Sequence, residues 1–241
     1  MRKDVVILIP AYNPDEKLGE LIDCLTLYSY KIVVVNDGSS EKCAHIFDSI
    51  RGKVEKILVH ERNGGKGKAL KTGIKWISEN LPTVDGIVTA DADGQHRPKD
   101  IQKVVEALEG SEKALVLGSR VFLKGVPFRS IFGNLWTRFF FWLLAGFFVK
   151  DTQTGLRGIP RSLFEPFLEI PGDRYEYELR MLAKARVLGE NPIEIPIEAI
   201  YINDNASSHF NPIKDSWSTQ VALWGIFLKR IFFVKEKSKK E

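Results

Sequence analysis

The chain has 241 residues, 44% of them apolar and 27% charged, with a formal net charge of +4. That length suits one large domain, or one domain with an appendage, and is enough to bury a sizeable core. The balance is that of an ordinary globular protein. Cys24 and Cys43 have no metal-ligand spacing, which argues against a disulfide framework and for a reducing cytoplasm. No secretory apolar region of the usual length precedes the first apolar run, and no nucleic-acid partner is expected.

Apolar runs and helical periods alternate through the first half. Val5-Val6-Ile7-Leu8-Ile9 reads as a buried strand, after which Asn13 is placed to cap a helix with Pro14 at its first position. Ile32-Val33-Val34-Val35 is a second buried strand, followed by a helix near 41–50 and a strand near 54–59. A helix over 67–78, a strand over 86–90, a helix over 98–108 and a strand over 114–117 come next. Strands alternating with helices of about ten residues predict βαβ units and a mostly parallel sheet. The fold class is therefore α/β.

The second half reads differently. Residues 121–149 are aromatic-rich, but Arg138 interrupts any membrane span, and amphipathic helices against the sheet or a lipid surface are expected. A helix over 175–188 and a strand over 193–201 follow. The division expected is a catalytic domain over 1–215, then an amphipathic helix and basic tail over 216–241. Lys229 and Arg230 make the apolar stretch 221–234 a poor span, so it either packs on the core or lies on an anionic membrane surface.

Each chemically suggestive cluster falls just after a strand, and in a parallel sheet those loops share one edge and can converge on one ligand. Asp91-Ala92-Asp93-Gly94 is the sharpest of them. Two carboxylates two residues apart can share one hard cation, Mg²⁺ or Mn²⁺, with Gln95 as a third oxygen donor. Asp37, in Asn36-Asp37-Gly38-Ser39-Ser40, is placed either to accept hydrogen bonds from a ribose or base edge or to form a turn. Asn63-Gly64-Gly65-Lys66-Gly67-Lys68 opens a helix whose free N–H groups would attract an anion. Arg62 and Ala69 exclude a Walker A loop, and no dinucleotide fingerprint follows the first strand.

Taken in order, Pro10-Ala11-Tyr12-Asn13, residues 34–40, 63–68 with Gly73, 91–98, Gly118-Ser119-Arg120 and residues 151–157 resemble the family 2 glycosyltransferases of the GT-A fold. The chain is most similar to the branch of dolichol-phosphate mannosyltransferase and bacterial polyprenyl-phosphate sugar transferases. The resemblance implies a Rossmann-like sheet flanked by helices, with amphipathic helices towards the C-terminus. It implies that Pro10, Tyr12, Asp37, Lys66 and Ala92 serve the nucleotide-sugar, with Asp91, Asp93 and Gln95 on the metal. Arg120 would contact the diphosphate or sugar, and Arg129, Arg157 and His209 would face the acceptor. Asp93, Arg120 and Asp151 would be the catalytic group, Asp151 serving as base if the acceptor is a hydroxyl. Inversion at the anomeric carbon is the family's expectation.

Two departures stand out. Pro14 follows the Tyr-Asn pair where the family often has glutamate. Asn203 and His209 stand where mannosyltransferases of the branch carry arginine and lysine, which speaks against GDP-mannose within a UDP- or GDP-sugar donor class. A polyprenyl phosphate at the inner face of the cell membrane is the expected acceptor, with the protein held there peripherally. An integral membrane partner would suit a chain with no span of its own. The rivals are a soluble transferase acting on a hydroxyl, a polysaccharide synthase, a nucleotidyltransferase and a non-catalytic nucleotide-sugar binder. No Gln-x-x-Arg-Trp motif supports the synthase, and no glycine-rich loop with Arg and Lys after the first strand supports the nucleotidyltransferase.

Overall fold

The apolar runs become the strands of one seven-stranded sheet in the computed structural model, which describes residues 4–121, 141–143 and 146–198. In chain order the strands and α-helices are β1 (Val5–Ala11), α1 (Lys17–Thr26), β2 (Lys31–Asn36), α2 (Ala44–Ile50), β3 (Lys56–Val59), α3 (Lys66–Asn80), β4 (Gly86–Thr89), α4 (Pro98–Glu109) and β5 (Val116–Val121). They continue with β6 (Arg157–Pro160), α5 (Phe164–Leu168), α6 (Glu176–Val187) and β7 (Ile193–Glu198). The strand order is β3-β2-β1-β4-β6-β5-β7, and β6 alone runs against its neighbours β4 and β5.

The sheet is buried on both faces because alternate side chains of each strand feed two separate cores. Val6 and Leu8 of β1 join Leu70, Ile74 and Ile77 of α3 and Tyr177, Met181 and Leu182 of α6 on one side. Val5, Ile7 and Ile9 join Leu18, Ile22 and Leu25 of α1 and Ile101, Val104 and Leu108 of α4 on the other. The register Ile7↔Ile32 and Ile7↔Val88 sets β1 level with both neighbours, so the loops after β1, β2 and β4 emerge at one edge. Among the described residues no helix is long and apolar enough to cross a membrane. Cys24 and Cys43 are free thiols.

Three expectations need correction. Asn13 does not cap α1, which starts at Lys17 after Glu16. It sits instead at φ 47°, donating its N–H to Ser39 Oγ at 2.9 Å and accepting from Ser40 N at 2.8 Å, and so ties the loop after β1 to the loop after β2. Gly118, Ser119 and Arg120 lie within β5 rather than in a loop behind it. The strand Arg157-Gly158-Ile159-Pro160 escaped the reading because a glycine and a proline in four residues look like a loop. The helices and tail expected over 216–241, and most of the aromatic segment, lie outside the described residues.

Candidate active site

The site is assembled where the loops after β1, β2, β3 and β4 meet. Asp37 directly follows β2 and is 3% exposed, with both carboxylate oxygens accepting from protein groups. Oδ1 accepts from Gly64 N at 2.9 Å and Oδ2 from Gly65 N at 2.8 Å, while His60 Nδ1 lies 2.6 Å from Oδ1. Gly38 follows at φ 70°, and a Cβ there would lie 2.3 Å from the Arg62 backbone, so only glycine allows the two loops to close. Asp37 is therefore a clasp between loops. Oδ1 meets two protein donors and Oδ2 one.

Protein acceptors take up several of the amides expected to attract an anion at the start of α3. The amides of Gly64 and Gly65 point at Asp37, and Lys68 N donates to Asp173 O at 2.9 Å. What the loop delivers is the side chain of Lys66. Its Nζ lies 2.7 Å from Asp91 Oδ1 and 3.1 Å from Glu178 Oε2 on α6.

Asp91 follows β4 and rests on Gly155, where a Cβ would sit 2.3 Å from Asp91 Oδ2. Thr89 Oγ1 donates to Gly155 O at 2.7 Å and holds that backbone in place. Asp91 N donates to His96 Nδ1 at 3.0 Å, leaving the His96 Nε2–H facing Asp91 Oδ2 at 3.9 Å. Burial opposes charge on Asp91, but Lys66 and then His96 overcome it and hold the carboxyl down at about 2. Burial and the Asp91 charge both push Asp93 up instead. Burial lowers His96, which favours its neutral form.

These two carboxylates fit a hard divalent cation. Asp93, raised by burial and by its neighbour's charge, has no ion-pair partner among the described residues, and carboxylate and amide oxygens are the donors Mg²⁺ or Mn²⁺ prefers. Among the described residues no three His, Cys, Asp or Glu side chains form a closed shell. A metal held by Asp91 and Asp93 would thus keep most positions for water and substrate oxygens.

A cleft beside this pair is lined by Asp91, Gln95, Arg120, Gln153 and Glu198. Arg120 reaches it from β5, steered by Asp151: Nε donates to Oδ2 at 2.6 Å and an Nη to Oδ1 at 3.0 Å. Asp151 is 0% exposed and also accepts from Gln153 N at 3.1 Å. Burial alone would raise its carboxyl, but the Arg120 hydrogen bonds bring it below the ordinary range. A carboxylate so depressed and so fully bonded makes a poor general base, so its place fits the orientation of Arg120 instead.

Arg157 does not fit the acceptor side. It is 1% exposed, and its guanidinium donates to Thr154 O, Thr152 O and Glu178 O while facing the Glu178 carboxylate. Pro10 lies in β1, and Tyr12, just past that strand, is 36% exposed at the shared edge. Ala92 packs against the α1–α4 core. Arg129 and His209 lie outside the described residues. Sequence reasoning missed His60, His96 and Glu178. The two histidines stood close to strand ends, but nothing in the local sequence marked Glu178.

Comparison with known proteins gives the family. Residues 6–165 match the family described as glycosyl transferase family 2. The chain is 34% identical over 221 residues to the UDP-N-acetylglucosamine–dolichyl-phosphate N-acetylglucosaminyltransferase of Methanococcus voltae, covering 83% of this chain and 86% of that one. It is 25% identical over 227 residues to the human dolichyl-phosphate beta-glucosyltransferase, covering 83% and 67%. Its fold is that of glucosyl-3-phosphoglycerate synthase from Mycobacterium tuberculosis, solved with Mn²⁺, UDP-glucose and phosphoglyceric acid (TM-score 0.65, 19% identity, 95% of this chain and 79% of that one). The chain belongs to glycosyl transferase family 2 and is a glycosyltransferase of GT-A fold.

Proposed function

We propose that this glycosyltransferase moves a sugar from a UDP-sugar to a polyprenyl phosphate, with Mg²⁺ or Mn²⁺ held at Asp91, Asp93 and Gln95. The observation that carries the reading is the Arg120–Asp151 pair. The carboxylate suited to deprotonating a hydroxyl acceptor is already locked to an arginine. A phosphate acceptor needs no such base, since it carries about −1.5 to −2 charge near neutrality. The dolichyl-phosphate relatives support that acceptor. The UDP donor named for the Methanococcus relative supports the uridine nucleotide.

Breaking the anomeric bond places negative charge on the departing diphosphate. The cation, when bound, neutralises that charge. Arg120 is fixed in advance by Asp151 and adds a second positive group on the same cleft, at no cost in reorganisation. Alignment of the phosphate oxygen opposite the leaving group would complete the reaction with inversion. Tyr12, at the shared edge, would meet the nucleotide base. Trp142 and Phe148 stay 49% and 58% exposed at the described end of the aromatic segment, which supports a peripheral station on the inner face of the membrane.

Thermal unfolding with UDP, GDP and a panel of UDP- and GDP-sugars, in Mn²⁺ and in EDTA, tests the donor half. Partition of labelled sugar into a lipid phase with undecaprenyl or dolichyl phosphate tests the acceptor half. A metal-dependent shift with a uridine nucleotide and label in the lipid are expected. Transfer to a free sugar hydroxyl with no lipid product would reject the reading.

A further inference from the structure

The carboxylates read above as the metal site are not bare. Lys66 Nζ sits 2.7 Å from Asp91 Oδ1, an oxygen that a bound cation would need. The same ammonium is 3.1 Å from Glu178 Oε2, and Glu178 is in turn faced by Arg157 Nε at 3.8 Å from Oε1. Asp91, Lys66, Glu178 and Arg157 thus form one line of alternating charge from the cleft into the core. Both inner members are close to dry: the side chains of Lys66 and Glu178 are 16% and 8% exposed.

Buried charge of this kind is tolerated only when paired. A divalent ion on Asp91 would repel the ammonium, and an ammonium driven off Asp91 with nowhere to go would be stranded. Glu178 supplies the place. A lysine, with three donors on a flexible stem, can shift its weight from one carboxylate to the other without leaving the pocket, whereas a planar guanidinium would be held by both.

We propose that Lys66 is a built-in stand-in for the metal, resting on Asp91 when the site is empty, and that Glu178 is the positioning residue that receives it when the cation binds. This rests on the reading of Asp91 and Asp93 as the metal site. Its consequence is opposite signs at two residues, neither of them a metal ligand. Removing the lysine removes a competitor and tightens metal binding. Removing the Glu178 charge leaves Lys66 with Asp91 alone, so it competes harder and metal binding weakens.

The test is Mn²⁺ titration followed by electron paramagnetic resonance, with no donor or acceptor present, on the full-length wild type, Lys66→Met, Glu178→Gln, the double variant and Asp91→Asn. One unit charge beside a partly buried site is worth about tenfold in affinity, so Lys66→Met is expected to bind Mn²⁺ about tenfold tighter and Glu178→Gln several-fold weaker. In the Lys66→Met background Glu178→Gln should lose most of its effect, because it acts through the lysine. Unfolding in EDTA adds a second reading. Lys66→Met should melt lower than wild type without metal and gain more from Mn²⁺.

General damage to the fold would weaken binding in both single variants, so weaker or unchanged binding in Lys66→Met overturns the proposal. So does a Glu178→Gln effect of equal size in both backgrounds, which would make Glu178 a direct electrostatic contributor. Mn²⁺ that binds only once Lys66 is removed supports it. Mn²⁺ that binds equally well to Asp91→Asn sinks the metal assignment itself, a result distinct from loss of the lysine effect alone.

Discussion

Replacing Asp151 with Asn separates two accounts of the catalytic centre. The carboxylate is 0% exposed and accepts from Arg120 Nε at 2.6 Å, from an Arg120 Nη at 3.0 Å and from Gln153 N at 3.1 Å. Asparagine keeps one acceptor and turns an NH₂ group towards a donor. Hydrogen bonds to charged groups contribute about 1.5–3 kcal/mol, and deleting one partner of a buried pair costs about 3–5 kcal/mol. Arg120 can turn partly to water, so a loss of about 2–3 kcal/mol in urea unfolding is expected. Because Arg120 loses its aim, kcat/KM should fall by about 10²-fold, since small displacements of a positioned group cost that much.

The pH profile decides between the accounts. Arg120 holds the Asp151 carboxyl below its ordinary value, so it stays ionised across any working range near neutrality and contributes no acid limb there. Its pairing stabilises the fold above the unfolded carboxyl value of about 3.9, and that stability is lost as pH falls through the lower folded value. Asp151→Asn should therefore slow the enzyme, lower its stability and leave the shape of the kcat profile between neutral and mildly acid pH unchanged. Arg120→Lys, which cannot form the fork, should reproduce the loss of rate. An Asp151→Asn protein of native stability, slower and stripped of its acid limb, would make Asp151 a general base and refute this reasoning.

Three further outcomes follow from the same geometry. Gly155→Ala would place a Cβ 2.3 Å from Asp91 Oδ2, so Mn²⁺ affinity and turnover should drop together while circular dichroism stays native. Asp37→Asn removes a charge that clasps Gly64 N, Gly65 N and His60, at a cost of about 1–3 kcal/mol in urea unfolding. A drop in turnover with unchanged stability would instead place Asp37 on the nucleotide. Asp91, held down at about 2, stabilises the fold above the ordinary carboxyl value and loses that contribution as pH falls towards 2. Urea midpoints in EDTA should therefore fall less steeply with acid in Asp91→Asn than in wild type.

Much of this architecture was legible because buried parallel strands leave a plain signal. Val5-Val6-Ile7-Leu8-Ile9 and Ile32-Val33-Val34-Val35 are apolar on both faces, and each ends at a polar cluster that the fold places on one edge. The Asp91-x-Asp93 pair was legible for a related reason, being local and following a strand directly. What escaped was set by partners distant in sequence. Nothing in the motif around Asp37 announces the clasp it forms with the loop carrying Gly64 and Gly65. Asp151 reads as a base until β5 delivers Arg120 onto both its oxygens.

Lys66 shows the limit most clearly. A lysine in a glycine-rich loop at a helix start suggests phosphate, and only the arrival of α6 supplies Glu178 as a second anion beside Asp91. The burial of that helix is driven by Tyr177, Met181 and Leu182 on the core side, so the apolar pattern that carries Glu178 into the site says nothing of its charge. Site chemistry here is a by-product of packing geometry. Chemical roles at this edge therefore follow from which loops the two cores force together, more than from the motif in which each residue sits.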